Sequence, residues 1–204
     1  MRESLTRAEL LAAGATAFVA GSVHFWPGGD TRAAAPPSAP GTVPDDDLAY
    51  VRLLIAFELL AIDFYGNALR SRRLDQRTSA DVRAALANEH AHYAFLAGTI
   101  VAAGATPLRA ADIDFTYPKD AFYTAASVMQ LALELETVGL GAYLGAAGVV
   151  VTPALQSTLV RISANEAQHQ STFARLDRKP AFEGAFPQQL TIEEASAALG
   201  TYTS

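Results

Sequence analysis

The chain has 204 residues, of which half are hydrophobic and 18% are charged. This apolar content is too high for a disordered chain and is sufficient for a sizeable core. A net charge of −6 argues against a nucleic-acid-binding protein. The absence of cysteine excludes disulfide scaffolds, zinc–thiolate sites, iron–sulfur clusters and cysteine nucleophiles. Any chemistry must therefore come from carboxylates, histidine, tyrosine or the backbone.

Residues 1–35 differ in composition from the rest of the chain. Arg2 and Arg7 precede an apolar run from Leu10 to Trp26, and this order predicts an export signal. The residues around Arg7 are similar to a twin-arginine motif in which Ala8 replaces the second arginine. The apolar run is also near the lower length limit for a membrane span, so a membrane tether and a peripheral helix stay open as alternatives. We expect a protein that is exported or associated with the cell envelope.

A proline-rich linker at residues 36–45 leads into a region with helical periodicity. Four helices are predicted, with short connections inside each hairpin and a longer crossover between the second and third helices. The predicted helices span about 46–70, 79–103, 121–145 and 153–178. Residues 46–179 are therefore predicted to form an all-α, antiparallel four-helix bundle. Residues 180–204 are predicted to form a tail with a short helix that Thr191 caps.

Acidic side chains interrupt the apolar face of each predicted bundle helix. Glu58 lies within the apolar stripe of the first helix, and Glu136 lies within that of the third. Glu134 shares a face with polar residues and is assigned to the solvent side. The second and fourth helices each place Glu-x-x-His on the apolar face, at 89–92 and 166–169. Because buried carboxylates are costly unless they are paired or bind a metal, this pattern indicates a metal site.

The same pattern occurs in both halves of the chain. Tyr65 follows Glu58 at the interval at which Tyr143 follows Glu136, and Glu-x-x-His begins 31 and 30 residues after the respective glutamates. The two helical hairpins are thus chemically equivalent, and the repeat favours Glu136 over Glu134. The tyrosines are candidates for hydrogen bonding to the ligands or for radical relay, with ordinary core tyrosines as the alternative.

These features resemble the ferritin-like superfamily of di-metal carboxylate proteins, in which two helices each supply a glutamate and two others each supply Glu-x-x-His. The resemblance is carried by the segments FELLAIDFYGNAL, NEHAHYAFL, LELETVGLGAYLGAA and NEAQHQSTF. More narrowly, the chain resembles exported bacterial ferritin-like proteins of the desiccation-related type. It carries Glu-x-x-His twice, like bacterioferritin, rubrerythrin and manganese catalase, whereas classical ferritin ferroxidase sites carry it once.

The resemblance implies a centre of two metal ions held by six side chains. The implied ligands are one histidine for each ion, two bridging glutamates and two terminal glutamates: His92 and His169, Glu89 and Glu166, and Glu58 and Glu136. His90 lies at the edge of its stripe and is not assigned as a ligand. Iron is the expected metal, and manganese is the alternative.

The resemblance also implies a choice among three functions. The leading hypothesis is a di-iron oxidoreductase of the ferroxidase or peroxidase type, acting on Fe(II), O₂ or peroxide. A manganese catalase-like enzyme is the second hypothesis, because the same ligands serve it. A non-enzymatic metal-binding or stress-protective protein is the third. A homodimer without a nucleic-acid partner is expected, the dimer by analogy with the family.

Overall fold

The computed structural model describes residues 37, 39, 43–182 and 184–203. Within these ranges the chain forms five α-helices and one short 3-10 helix, without a β-strand. The helices are α1 (Asp45–Arg70), α2 (Gln76–Ala102), α3 (Ala125–Val149), α4 (Pro153–Leu176) and α5 (Ile192–Gly200). The prediction of an all-α chain is confirmed. The predicted export segment at residues 1–35 lies outside the described residues, as does half of the linker. In the described part, no helix combines the length and hydrophobicity that crossing a bilayer requires.

Local capping explains where the helices begin. α2 begins at Gln76, three residues earlier than predicted, because the Asp75 carboxylate accepts a hydrogen bond from Thr78 N at 2.7 Å. α3 begins four residues later than predicted, where Thr124 and Ser127 cap each other's backbone N–H groups. Both differences arise from side chains that bond to the first free N–H groups of a helix.

The bundle consists of two hairpins, α1 with α2 and α3 with α4. Contacts between the hairpins give the relative direction of α1 and α3. Tyr143 of α3 donates a hydrogen bond to Glu58 of α1, and Tyr65 of α1 donates one to Glu136 of α3. Because the order of the partners is reversed along the two helices, α1 and α3 run antiparallel. The connection between α2 and α3 must therefore return along the bundle, as the predicted longer crossover does.

This crossover, residues 103–124, covers part of α1. The Tyr117 hydroxyl donates a hydrogen bond to the Asp63 carboxylate at 2.9 Å. Asp63 also accepts one from the Asn67 amide at 2.8 Å. These contacts leave Asp63 half-buried although it lies on the polar face of α1. The crossover is thus packed against the bundle.

The core contains two clusters of buried apolar residues, one toward each end of the bundle. Leu54 and Leu159 belong to the first cluster, and Phe64 and Phe173 belong to the second. The buried glutamates lie between these clusters in all four bundle helices. A polar layer is therefore enclosed by apolar packing on both sides.

The C-terminal tail packs on α3. Leu190 N donates a hydrogen bond to the carbonyl oxygen of Gly141 at 2.9 Å. The carbonyl oxygen of Leu190 lies so close to Gly145 that a Cβ at this position would be only 1.8 Å away. Thr191 caps α5 by accepting a hydrogen bond from Glu194 N at 3.2 Å, in agreement with the predicted capped helix. The two glycines thus provide the surface over which the tail crosses.

Asp47 joins the start of α1 to the connection between α3 and α4. Its side chain is buried and accepts hydrogen bonds from Val151 N at 3.1 Å, Thr152 N at 2.9 Å and Thr152 Oγ1 at 2.6 Å. The sequence pattern shows Asp47 only as one of three acidic residues at a helix N-terminus. Its actual partners lie more than 100 residues away in the chain.

We expect Asp47→Ala to lower the free energy of unfolding by about 1–3 kcal/mol, because it leaves N–H donors at this connection without an acceptor. Asp46→Ala is the matched control, because Asp46 lies in the same helical turn and is exposed. The control is expected to change stability by less than about 0.5 kcal/mol. Urea denaturation followed by circular dichroism measures both values, and equal losses in the two variants would contradict the prediction.

Candidate metal centre

The polar layer contains all six side chains that the sequence nominates as metal ligands. The four glutamates are at most 1% exposed. The side chains of the two histidines are 11% and 7% exposed. The six residues are Glu58 on α1, Glu89 and His92 on α2, Glu136 on α3, and Glu166 and His169 on α4. Each bundle helix therefore contributes at least one of them.

These residues form two overlapping groups, and within each group the candidate ligand atoms lie within 4.8 Å of one another. The groups are Glu58, Glu89, His92 and Glu166, and Glu89, Glu136, Glu166 and His169. Glu89 and Glu166 occur in both groups, whereas each histidine occurs in one. This is the sharing that the family resemblance implies for bridging carboxylates.

The two histidines face the shared carboxylates through the same ring atom. Nδ1 of His92 lies 3.0 Å from Oε2 of Glu89 and 3.1 Å from Oε1 of Glu166. Nδ1 of His169 lies 3.0 Å from Oε1 of Glu89 and 3.9 Å from Oε2 of Glu166. Each shared carboxylate thus directs one oxygen toward each histidine. Both imidazoles can offer Nδ1 to a cation held between them and the carboxylates.

Several buried atoms of this layer make no contact with hydrogen-bond geometry among the described residues, although some of them lie close to one another. They are Oε2 of Glu58, Oε1 of Glu89, Oε2 of Glu136, both carboxylate oxygens of Glu166, and Nδ1 of His169. Leaving such groups buried and unpaired is costly, so native proteins rarely do so. A cation would satisfy them, and carboxylate oxygens with imidazole nitrogens suit iron, manganese or zinc. The donor set therefore fits divalent metal ions.

Burial and mutual contact shift the pKa values of these groups. Burial, together with the charge of Glu89, raises the pKa of Glu58 to about 8. Burial also raises the pKa of Glu166 well above its usual range. Burial alone would lower the pKa of His92, but hydrogen bonds to carboxylates outweigh it and raise this pKa to about 12. Burial likewise opposes protonation of His169, but the nearby carboxylates of Glu136 and Glu89 outweigh it and raise the pKa of His169 to about 11. Without metal, the layer therefore binds protons at neutral pH.

Metal binding is expected to release these protons, and its affinity is expected to rise with pH. Because the raised pKa values keep both imidazoles and two carboxyls protonated near pH 7, a cation must displace the protons. Loss of one proton gives a roughly tenfold tighter apparent Kd per pH unit, and loss of more gives a steeper change. Calorimetric titration with Mn²⁺ between pH 6 and 8, in buffers of different ionisation enthalpy, measures the number of protons released and the apparent Kd. His90→Gln removes an exposed histidine and should keep the wild-type pH dependence of the apparent Kd. A wild-type apparent Kd that does not change with pH would contradict the prediction.

Tyr65 and Tyr143 link each half of the bundle to a glutamate of the other half. Both side chains are buried, and their hydroxyls donate hydrogen bonds to Glu136 and Glu58 respectively. Burial and the neighbouring carboxylates raise the pKa of both tyrosines well above the usual value. The tyrosines are therefore neutral donors to Glu58 and Glu136, each of which belongs to only one of the two ligand groups.

Tyr143→Phe tests whether this hydrogen bond matters for the centre or whether Tyr143 only fills the core. We expect the variant to weaken metal binding by roughly 10- to 100-fold, because Glu58 loses the donor that orients it. Tyr123→Phe is the control, since Tyr123 is 61% exposed. Equilibrium dialysis with Mn²⁺ measures both affinities. An unchanged affinity in Tyr143→Phe would support the core-tyrosine alternative.

One polar contact at the centre was not predicted from the sequence. The side-chain nitrogen of Asn88 lies 3.0 Å from Nε2 of His169, the ring nitrogen opposite the carboxylates. A signal for this contact exists, because asparagine precedes the glutamate of both Glu-x-x-His motifs, at Asn88 and Asn165. Such outer contacts fix the orientation and tautomer of a ligating histidine.

Two residues that the sequence assigns away from the centre also lie outside it in the structure. His90 is exposed, and neither group of candidate ligands includes it. Glu134 is also exposed, and it accepts a hydrogen bond from the Tyr202 hydroxyl at 2.7 Å. The Tyr spacing that favours Glu136 over Glu134 therefore selects the glutamate that is buried.

The fold and this layer define a four-helix bundle with a buried carboxylate–histidine cluster that can hold metal ions. The model of the ferritin-like domain matches residues 46–179, which is more than half of the chain. The chain belongs to the ferritin-like family. No curated protein matches it.

Proposed function

We propose that the protein holds two iron ions in this layer and acts as an oxidoreductase on Fe(II), O₂ or peroxide. The observation that carries the proposal is the pair of overlapping ligand groups with Glu89 and Glu166 in common. Two iron ions held by these residues would supply two-electron exchange with O₂ or peroxide. His92 and Glu58 would hold one ion, and His169 and Glu136 would hold the other.

The remaining roles belong to the protein's own side chains. The Tyr143 and Tyr65 hydroxyls orient Glu58 and Glu136 through their hydrogen bonds. The two apolar clusters exclude bulk water from the layer, which strengthens its electrostatic interactions.

The experiment is anaerobic loading with Fe(II), followed by addition of O₂ or H₂O₂ and measurement of Fe(II) consumption. We expect rapid oxidation by the wild type and a loss of at least roughly tenfold in Glu166→Ala, with Glu134→Ala as the matched control. O₂ evolution from peroxide by Mn-loaded protein, without Fe(II) oxidation, would instead support a manganese catalase-like enzyme. Bound metal without turnover of either kind would support the non-enzymatic alternative.

We also propose that the protein is an exported ferritin-like protein of the desiccation-related type. The charged start, apolar run and proline-rich linker of residues 1–45 support this proposal. Cell fractionation, with N-terminal sequencing of the recovered protein, tests it. Recovery of only full-length protein from the cytoplasm would contradict it. The expected homodimer is tested by light scattering on the same preparation.

A further inference from the structure

A cavity of about 180 Å³ lies between α2 and α4, beside the metal centre. Six polar residues line it, together with Ala84, Ala85 and Phe173: Asp81, Asn88, Asn165, Gln168, His169 and Thr172. His169 belongs to both the cavity and the centre. His169 lines the cavity, and its Nδ1 lies 3.0 Å from Oε1 of Glu89. The cavity and the centre therefore share one candidate ligand.

Asp81 gives the cavity a negative charge. Its Oδ2 atom is buried and has no hydrogen-bond partner among the described residues. An unpaired carboxylate oxygen in a polar cavity attracts cations. The amide and hydroxyl oxygens of the remaining lining can replace water molecules of a hydrated ion.

Two other cavities among the described residues lack a candidate ligand in their lining. One of about 530 Å³ and one of about 280 Å³ lie against α3 and α4. The glutamates of the centre are at most 1% exposed, so a metal ion needs a path through the bundle surface. The cavity between α2 and α4 is lined by one candidate ligand, His169.

We propose that the cavity between α2 and α4 admits hydrated divalent cations to the centre, and that Asp81 is the first carboxylate they meet. This inference rests on the proposed function, because it requires that the layer binds metal. Asp81 acts on the rate of metal uptake and is not a ligand of the final site. Removing its charge should therefore slow uptake without lowering the final metal content.

The test measures uptake of Co²⁺ by the metal-free full chain, followed by its absorbance after rapid mixing. Two variants alter the cavity in different ways. Asp81→Asn removes the charge with little change in shape, and Ala84→Phe places a ring at an exposed lining position. We expect both to slow uptake by roughly tenfold, while the final Co²⁺ content equals that of the wild type.

Glu134→Gln is the matched control, because it removes a carboxylate from the largest of these cavities. The control should take up Co²⁺ at the wild-type rate. Wild-type rates in Asp81→Asn would overturn the assignment of the cavity, as would equal slowing in Glu134→Gln. A wild-type protein that binds no Co²⁺ would instead overturn the proposed function. The two failures are therefore distinguishable.

Discussion

Glu89→Ala is expected to remove metal from both halves of the centre, whereas Glu58→Ala is expected to affect only one half. The difference follows from geometry, because Glu89 belongs to both ligand groups and Glu58 to one. Glu89 also contacts both histidines at 3.0 Å. Its loss therefore takes a ligand from each ion, and the two neighbouring imidazoles lose a shared partner.

Mass spectrometric metal analysis after loading with excess Mn²⁺ and gel filtration measures this difference. The wild type is expected to retain about two ions per chain, Glu58→Ala about one and Glu89→Ala almost none. Glu134→Ala replaces an exposed glutamate and should match the wild type. Circular dichroism confirms that each variant is folded. Equal metal content in Glu58→Ala and Glu89→Ala would contradict the sharing of Glu89 between two ions.

The second large effect is expected at the crossing of the tail over α3. In Gly145→Ala, the new Cβ would lie 1.8 Å from the carbonyl oxygen of Leu190. Because that neighbour is backbone, the tail must move away as a segment. We expect the free energy of unfolding to fall by about 1–3 kcal/mol. The tail around Leu190 should also become more susceptible to limited proteolysis.

Gly148→Ala is the control for this prediction. Gly148 lies in the same helix, and its added Cβ would approach the end of the Gln189 side chain at 3.5 Å, an ordinary contact distance. Its stability should stay the same or rise by up to about 1 kcal/mol, because alanine favours the helix. Chemical denaturation compares the two variants. A Gly145→Ala protein as stable as Gly148→Ala would show that the tail is not held at this crossing.

Much of the metal layer could be predicted from sequence because each ligand breaks a pattern within its own helix. Glu58 and Glu136 stand out in apolar stripes, and the tyrosine spacing relates them to each other. Helical periodicity is a local property, so it identifies the buried face before the neighbouring helices are known. The four bundle helices could be predicted for the same reason.

Contacts between distant segments could not be predicted in this way. Asp47 looks like any acidic residue at a helix N-terminus, and only the packed bundle brings it to Thr152. Gly141 shares a face with Glu134 and therefore looks solvent-exposed, yet the tail covers it. Such partners depend on tertiary packing, for which the local pattern has no signal.

The most direct test of the metal centre is a crystal structure of protein loaded with iron, with anomalous scattering measured on both sides of the iron absorption edge. We expect two anomalous peaks per chain in the layer between the apolar clusters. One peak should lie beside His92 and the other beside His169, with the carboxylates of Glu89 and Glu166 reaching both. An iron-loaded crystal with no anomalous peak among these side chains would contradict the account.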